Sequence, residues 1–308
     1  MNFHHIPVLF NETLNILGLK PGHIIVDGTL GGGGHSGGIL ERIVPGGLLV
    51  GIDRDPNALA AARTYLHQYK DSLVTVHGNF NDLDSILDRL NISNIDGMMM
   101  DLGVSSHQLD EESRGFSYHG DAPLDMRMDP TQPLSAQNVV NEYGERQLAQ
   151  VILRYGEERW AARIAKFIVK SRPIHTTGEL TEVIKAAIPA NVRRRGPHPS
   201  RRTFQAIRIE VNGELEILEG AIETAVASLK SGGRLCIITF HSLEDRIVKN
   251  TFRRLQRPCT CPPDSPICIC GHKASVKVIT RKPIIPSEDE TDENPRSRSA
   301  KLRACQKL

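Results

Sequence analysis

The chain has no long hydrophobic run, little net charge, and few cysteines outside one short stretch. No segment approaches the ~18 apolar residues that a membrane-spanning helix needs. The start of the sequence, Met1 to Pro7, lacks the charged-then-apolar plan of a signal peptide, so we expect a cytoplasmic protein with no membrane partner. A formal net charge of +2 gives little general attraction for nucleic acid, and RNA binding would therefore require a local cluster of arginine and lysine.

Four of the six cysteines fall within one Pro-rich stretch and follow a Cys-x-Cys pattern twice: Cys259, Cys261, Cys268 and Cys270. In a reducing cytosol this pattern does not indicate a disulfide framework. It could hold zinc, although structural zinc sites more often use Cys-x2-Cys spacing. The alternative is a surface loop with incidental thiols. We assign no metal ligand here and leave both interpretations open.

The glycine-rich segment 24–36 (IIVDGTLGGGGHS) lacks the Lys-Ser or Lys-Thr of a P-loop, which argues against kinase or ATPase chemistry. Its glycines let backbone amides approach a ligand closely. A second apolar run, 48–53 (LLVGID), also ends in a carboxylate, at the spacing where an acidic residue binds ribose hydroxyls in a Rossmann-like sheet. The two segments together predict an adenosine-containing cofactor.

Asp27 and Asp53 bear on which adenosine cofactor is bound. NAD would bring phosphates close to Asp27, whereas S-adenosylmethionine carries an ammonium group and a sulfonium there. The two carboxylates therefore favour S-adenosylmethionine. An NAD-dependent oxidoreductase and a plain glycine-rich turn remain the alternatives at this point.

Short apolar runs alternate with helical segments such as 56–69, which predicts a parallel, doubly wound sheet. The first four predicted strands are 24–26, 48–52, 73–76 and 97–100. Asp27, Asp53 and Asp101 then lie at the carboxyl edge, where open α/β sheets bind ligands. No internal repeat is visible.

The pattern of strands is then interrupted until 234–239, which follows a predicted helix over about 214–230 and a turn at 231–233. The interruption contains only helical periodicities: 136–143, 145–155, 160–171 and 179–187, the last opened by a Thr176-x-x-Glu179 capping box. Two further runs, 275–280 and 300–304, predict antiparallel edge strands, with the acidic segment 287–294 expected to be mobile between them. This predicts an α/β, Rossmann-like sheet with an inserted all-helical domain.

The segment 100–108 (MDLGVSSHQ) places Asp101 and a turn of small residues at the end of the fourth strand. An exocyclic amine on an aromatic ring has a delocalised lone pair, so its methylation needs orientation and hydrogen-bond acceptors rather than a strong base. Asp101 could be such an acceptor. The alternative is that it merely caps the following turn.

Three further features suggest contact with a nucleic acid. Asp125 and Arg127 lie in an irregular segment rich in charge, where they could serve a flipped-base pocket or simply pair with each other. Six arginines lie between residues 193 and 208, including Arg201 and Arg202, and predict a phosphate-binding arm rather than a solvated loop. His241, at the end of the fifth strand, could contact substrate or satisfy backbone hydrogen bonds.

Six motifs occur here in an order that closely resembles the RsmH (MraW) family of bacterial ribosomal RNA small-subunit methyltransferases. They are 27–36 (DGTLGGGGHS), 101–106 (DLGVSS), 114–117 (RGFS), 123–129 (PLDMRMD), 202–206 (RTFQA) and 240–246 (FHSLEDR). The resemblance extends from Pro7 to about Leu302. It implies a class I methyltransferase sheet in residues 1–109 and 214–308, interrupted by a helical substrate-recognition domain in 110–213.

The resemblance also implies the reaction, which is methyl transfer from S-adenosylmethionine to N4 of a cytosine in the decoding region of 16S ribosomal RNA. The substrate would be the small ribosomal subunit, and a homodimer is compatible with the family. Carried over by motif position, the cofactor contacts are Gly33, Gly34, His35, Asp53, Phe80, Asp101 and Gln108. The substrate contacts are Asp125, Arg127, Arg201, Arg202 and His241, with Asp101 as the candidate catalytic residue. A zinc-stabilised RNA-binding protein and a small-molecule methyltransferase are the remaining alternatives.

Overall fold

The computed structural model describes residues 7–193, 198–261 and 269–308. They form two compact units: a sheet unit, made of the chain up to Gly103 together with Leu215–Leu308, and a helical unit, Val104–Glu214. No helix within these three ranges is long and apolar enough to cross a membrane.

The described residues of the sheet unit contain seven strands: β1 (Ile24–Asp27), β2 (Leu48–Asp53), β3 (Leu73–His77), β4 (Ile95–Asp101), β5 (Leu229–Thr239), β6 (Val276–Val278) and β7 (Lys301–Lys307). Their order is β3-β2-β1-β4-β5-β7-β6. The first five are parallel, while β7 is antiparallel to β5 and β6 is antiparallel to β7. The predicted Rossmann-like α/β fold and both antiparallel strands are therefore confirmed, but only β6 is an edge strand, because β7 pairs with β5 on one side and with β6 on the other.

The helices, in chain order, are α1 (Phe10–Leu17), α2 (Gly34–Ile43), α3 (Pro56–Tyr65), α4 (Leu83–Arg89), α5 (Ser106–Asp110), α6 (Ala136–Glu142), α7 (Glu145–Gly156), α8 (Ala161–Lys170), α9 (Thr177–Ala187), α10 (Ala190–Arg193), α11 (Arg201–Asn212), α12 (Leu218–Ser228), α13 (Ser242–Gln256) and α14 (Glu288–Glu293). Short 3-10 turns cover His67–Tyr69, Phe80–Asp82, Glu112–Arg114 and Pro295–Ser299.

Two apolar layers cover the sheet, because successive side chains of a strand point to opposite faces. On β4, Met98 and Met100 pack into a core with α4, α12 and α13, whereas Met99 packs on the other face with α1 and α2. The methionines are fully buried. The strands are thus apolar on both faces, as expected for a parallel sheet between helices.

The helical unit has its own core, drawn mainly from one face of each of α6, α7, α8, α9 and α11. The predicted capping box opens α9: Thr176 Oγ1 accepts from Glu179 N, and the Glu179 carboxylate accepts from Thr176 N. A second capping box, formed by Ser135 and Asn138, opens α6. The predicted helices in this region are confirmed within a few residues of their expected ends.

Three local predictions were wrong. The helix predicted over 56–69 ends at Tyr65 and is followed by a 3-10 turn. The predicted turn 231–233 lies within β5, where the pairing with β4 shifts register between Ile95 and Gly97. The acidic segment 287–294 forms α14, because Ser287 caps it and the Glu290 carboxylate accepts a hydrogen bond from Leu9 N at 2.8 Å.

Candidate active site

The site lies at the carboxyl ends of β1 and β4, the point where the order of the strands reverses. Successive strands lead from β1 toward β3 on one side, while β4 and β5 extend the sheet on the other. Open α/β sheets bind ligands in the crevice at such a switch point. Asp27 ends β1 and Asp101 ends β4, so two carboxylates stand side by side there.

The glycine-rich turn connects β1 to α2 and is held to the end of β2. The Asp53 carboxylate accepts a hydrogen bond from Gly31 N at 2.7 Å, and the Ile52 carbonyl accepts one from Leu30 N at 2.9 Å. Gly33 precedes the first residue of α2 with a φ of +88°, and a Cβ there would lie 2.9 Å from the Leu66 side chain. Backbone conformation and packing therefore both require glycine at position 33.

Gly34 is required by packing alone, since a Cβ at this position would lie 2.7 Å from Cγ of Pro7. Beyond it, the first backbone N–H groups of α2 have no acceptor within the helix, as at the start of any helix. The turn that was predicted to contact a cofactor thus lies between the end of β1 and the start of α2, beside the end of β2.

Asp27 is almost fully buried, and its carboxylate accepts hydrogen bonds from Ser36 Oγ at 2.7 Å and from Thr29 N at 3.1 Å. Burial raises the pKa of Asp27 to about 6 despite these donors, and the nearby Asp53 charge adds to the rise. Burial also raises the pKa of Asp53, whose carboxylate accepts from the backbone N–H groups of Gly31 and Asp55. Both carboxylates accept hydrogen bonds from neutral donors, which do not neutralise the negative charge of the ionised carboxylates.

Asp101, at the end of β4, also has a perturbed carboxylate. Burial, together with the charges of Asp27 and Glu244, raises its pKa to about 8. Its Oδ1 atom is buried and has no hydrogen-bond partner among the described residues. The Asp101 backbone N–H donates to Thr29 Oγ1 at 2.6 Å, which ties the end of β4 to the glycine-rich turn. No backbone N–H of the described residues donates to the Asp101 side chain, so the alternative that Asp101 caps the following turn stays without a supporting contact.

His35 lies in the first turn of α2 and is buried. Its Nε2 contacts the Val8 carbonyl oxygen at 3.1 Å, and since a carbonyl only accepts, Nε2 carries the proton. Its Nδ1 lies 3.8 Å from Asp101 Oδ2. In this structure His35 borders the Asp101 carboxylate; its predicted contact with the cofactor stays a prediction.

Phe80 follows β3 in the 3-10 turn Phe80–Asp82, which Asn79 caps by accepting from Asn81 N at 3.1 Å. Its Cβ would lie 3.1 Å from a Cβ on Gly28, so glycine at position 28 lets the ring approach the end of β1. The Arg54 guanidinium lies 5.8 Å from the ring centroid. The half-buried ring is therefore fixed near the sheet edge, and its stacking on adenine remains a prediction.

The chemistry of this edge fits S-adenosylmethionine. Three carboxylates with raised pKa values lie at adjacent strand ends, and one of their oxygens is buried without a partner. A cationic ligand would stabilise the ionised carboxylates, whereas a pyrophosphate would add to the negative charge. Asp53 would hold the ribose and the backbone of residues 31–34 would lie against the ligand.

His241 caps α13, as the second of its predicted alternatives proposed. Its Nδ1 accepts from Glu244 N at 3.4 Å, and the Glu244 carboxylate accepts from Phe240 N and His241 N in return. Sequence reasoning missed Glu244, a buried carboxylate that contributes to the raised pKa of Asp101. Its signal was available in the sequence, since His241-x-x-Glu244 has the spacing of a capping box.

The helical unit holds the other predicted site residues. Gln108 is buried in α5 and forms two hydrogen bonds with Ser105. The side-chain Oε1 of Gln108 accepts from Ser105 N, and the backbone N–H of Gln108 donates to Ser105 Oγ. Asp125 and Arg127 form a bidentate ion pair with distances of 2.9 and 2.7 Å. The pairing alternative is thus what the structure contains, and both side chains remain partly exposed.

Arg201 and Arg202 are exposed at the start of α11. Arg202 Nη1 donates to the Glu157 carbonyl oxygen at 3.2 Å. Arg208 differs from the predicted arm, because it forms a mostly buried, bidentate ion pair with Glu214. Arg194 and Arg195 lie outside the described residues, so the structure describes the predicted arm only at Arg193 and from residue 198 onward.

Comparison with known proteins identifies the family of this chain. The family model of the MraW methylase family matches residues 2–308. A protein from Symbiobacterium thermophilum named ribosomal RNA small subunit methyltransferase H is 58% identical, covering 100% of this chain and 98% of its own length. Proteins of the same name from Clostridium botulinum and Clostridioides difficile are 57% and 54% identical, each with 100% coverage of both chains.

Among solved structures, the crystal structure of a putative rRNA-methylase from Clostridium thermocellum aligns over 99% of this chain and 100% of its own, with a TM-score of 0.49 and 11% identity. The full-length match to the family model and the high identity to full-length relatives are decisive. The protein is an enzyme with a class I methyltransferase sheet and S-adenosylmethionine as its methyl donor, and it belongs to the MraW methylase family.

Proposed function

We propose that this protein methylates the N4 exocyclic amine of a cytosine in the decoding region of 16S ribosomal RNA. The names of relatives at 53–58% identity support methylation of small-subunit ribosomal RNA. The motifs quoted above support the narrower choice of N4 and of the decoding region. Such a substrate locates the reaction in the cytoplasm, on the small ribosomal subunit.

Asp101 is the observation that carries this proposal. Its carboxylate ends β4 at the switch point, and its Oδ1 lacks a partner among the described residues. A buried acceptor without a donor is costly, so it is expected to be satisfied by a ligand. The two N–H donors of a cytosine N4 amine match this need.

Because the pKa of Asp101 is raised, this group acts as a carboxylate acceptor only once it has ionised. With a pKa of about 8, the carboxyl group is mostly protonated at neutral pH. S-adenosylmethionine supplies a methyl group on a positively charged sulfur, and a cation nearby favours the ionised carboxylate. Asp101 would then accept a hydrogen bond from N4–H and hold the amine in line with the methyl group.

His35 would assist by orientation, because its Nδ1 faces Asp101 Oδ2 and its Nε2 proton is held by the Val8 carbonyl. His35 is then a positioning residue rather than a catalytic one. Asp27 and Asp53 would hold the charged and ribose parts of the donor, and Phe80 would stack on its adenine.

The helical unit would recognise the RNA. Arg201 and Arg202 are exposed at one end of α11 and suit contacts to phosphates, which position a nucleic acid without reading its sequence. The Asp125–Arg127 pair, partly exposed, could offer its remaining donors and acceptors to a base. In this proposal Gln108 stays a contact to the methyl donor and His241 a contact to the substrate.

The direct test is transfer of tritium from labelled S-adenosylmethionine to small ribosomal subunits from cells that lack this protein, followed by nucleoside analysis. We expect label in N4-methylated cytidine, and none with the Asp101→Asn variant. Subunits from cells that contain the protein are the matched control, because their site is already modified. Label in another nucleoside, or none from a wild-type protein that binds the donor, would contradict the proposed substrate.

A further inference from the structure

The segment that joins α13 to β6 carries a group of cysteines with no part in the methyl-transfer site. Its two ends are fixed to each other: Ser275 N donates to the Leu255 carbonyl at 3.0 Å, and Val278 N donates to Gln256 Oε1 at 2.7 Å. Between these contacts, Cys259, Cys261 and Cys270 lie at or near the protein surface.

The sulfur atoms of these three cysteines converge. All lie within 4.8 Å of one another, and the Sγ atoms of Cys259 and Cys270 are 3.7 Å apart. A tetrahedral zinc with Zn–S bonds of about 2.3 Å has sulfur atoms roughly 3.8 Å apart along each edge. A disulfide would bring two sulfurs to about 2.05 Å. The observed spacing is therefore that of metal ligands, although Cys-x-Cys is not the commonest spacing in sequence.

A backbone donor supports one of these sulfurs. Ile269 N donates to Cys261 Sγ at 3.3 Å. A hydrogen bond to sulfur favours the thiolate over the thiol and orients it, as outer contacts of metal ligands commonly do. This contact comes from the chain that leads into Cys270, so the same short turn positions two of the three sulfurs.

The remaining described cysteines show the contrast. Cys236 and Cys305 are buried on adjacent strands β5 and β7, and burial raises the pKa of the Cys305 thiol to about 12. Such thiols are packed as small apolar groups and are inert. The three surface cysteines have the opposite surroundings, with no apolar burial to explain their grouping.

We propose that Cys259, Cys261 and Cys270 bind a structural zinc ion that fastens the loop between α13 and β6. Thiolates are soft ligands, which select zinc over magnesium or calcium. Zinc would join residues 259–261 to Cys270, much as a crosslink does. The three cysteines would supply three of the four ligands of a tetrahedral zinc, and Cys268, which completes the second Cys-x-Cys pair, lies outside the described residues.

The test measures metal rather than methyl transfer, so its outcome is independent of the proposed RNA substrate. The full-length protein is purified under reducing conditions without chelator, and its zinc content is determined by inductively coupled plasma mass spectrometry. We expect about one zinc per chain and near-complete loss in the triple variant with Cys259, Cys261 and Cys270 changed to Ser. The matched control changes Cys236 and Cys305 to Ala and should retain the zinc.

A second measurement covers the case in which the triple variant fails to fold. Wild-type protein is stripped with chelator and refilled with Co²⁺, whose absorption reports tetrahedral coordination and bonds to thiolates. We expect both signatures, displaced by an equivalent of Zn²⁺. Failure of the wild type to bind either metal would overturn the proposal, as would zinc retained by the triple variant, or a Cys259–Cys270 disulfide in the protein isolated under reducing conditions.

Discussion

Replacing Asp101 with Asn removes a carboxyl group whose ionisation is unfavourable in the folded protein. The pKa of Asp101 is about 8 in the folded chain against an ordinary value of 3.8. Between these two pH values the Asp101 side chain is ionised in the unfolded chain and protonated in the folded chain. The contribution of Asp101 to stability therefore falls as the pH rises from about 4 to about 8, and this contribution stays constant above that.

The size of the effect follows from the shift. Each pKa unit is worth about 1.4 kcal/mol, so a shift from 3.8 to about 8 sets an upper bound of roughly 6 kcal/mol. Because 27% of the Asp101 side chain remains exposed, solvent relieves part of this cost. We expect about 2 to 4 kcal/mol in the free energy of unfolding.

The assay is urea unfolding of the wild type and of Asp101→Asn at pH 5, 7 and 8.5, followed by circular dichroism. Asparagine cannot ionise, so the variant should gain on the wild type as the pH rises, while it loses methyl transfer. Asp96→Asn is the control: although burial opposes the effect, hydrogen bonds from Ile24 N and Lys230 lower the pKa of Asp96. Asp96 stabilises the fold above its unfolded pKa, and its variant should therefore lose stability at neutral pH. Parallel curves for the wild type and Asp101→Asn would refute the reasoning.

Two further predictions address the RNA and the glycine-rich turn. Replacing Arg201 and Arg202 with Ala should weaken RNA binding and leave donor affinity unchanged. The slope of the logarithm of RNA affinity against the logarithm of salt concentration should fall by about one per lost phosphate contact. The control is Arg146→Ala, exposed on another helix, and the measurement is filter binding at several salt concentrations. An equal loss of donor affinity would contradict this division. Gly33→Ala should lower the midpoint of thermal unfolding and weaken donor binding, because the φ of Gly33 is +88° and the Leu66 side chain lies 2.9 Å from the added Cβ. The control is Gly220→Ala, in open space within α12, which should be neutral or stabilising. An unchanged midpoint for Gly33→Ala would exclude strain at that turn.

Much of the fold was predictable because its signals are local. The first four parallel strands are short apolar runs that each end near glycine or a carboxylate, and alternation with helices gives a parallel sheet. The Thr176–Glu179 capping box marked the start of α9 correctly. The three carboxylates followed from the same pattern, since each ends a strand at the same edge of the sheet.

Several failures came from contacts that the local sequence pattern does not show. The acidic segment around Glu290 was expected to be mobile from its charge, yet its carboxylate is bound by Leu9 N, far away in the chain. The raised pKa of Asp101 depends on burial and on Glu244, which no spacing near residue 101 reveals. Arg208 looked like part of a basic arm, but Glu214 pairs with it across the last turn of α11.

We propose that a cluster of carboxylates with raised pKa values recognises a cationic methyl donor. The decisive experiment is calorimetric titration with S-adenosylmethionine at pH 7, in buffers with different ionisation enthalpies. Since Asp101 is mostly protonated before binding, donor binding should release close to one proton, and Asp101→Asn should bind with little release. Donor binding with no proton release, or with the same release in the variant, would contradict the account.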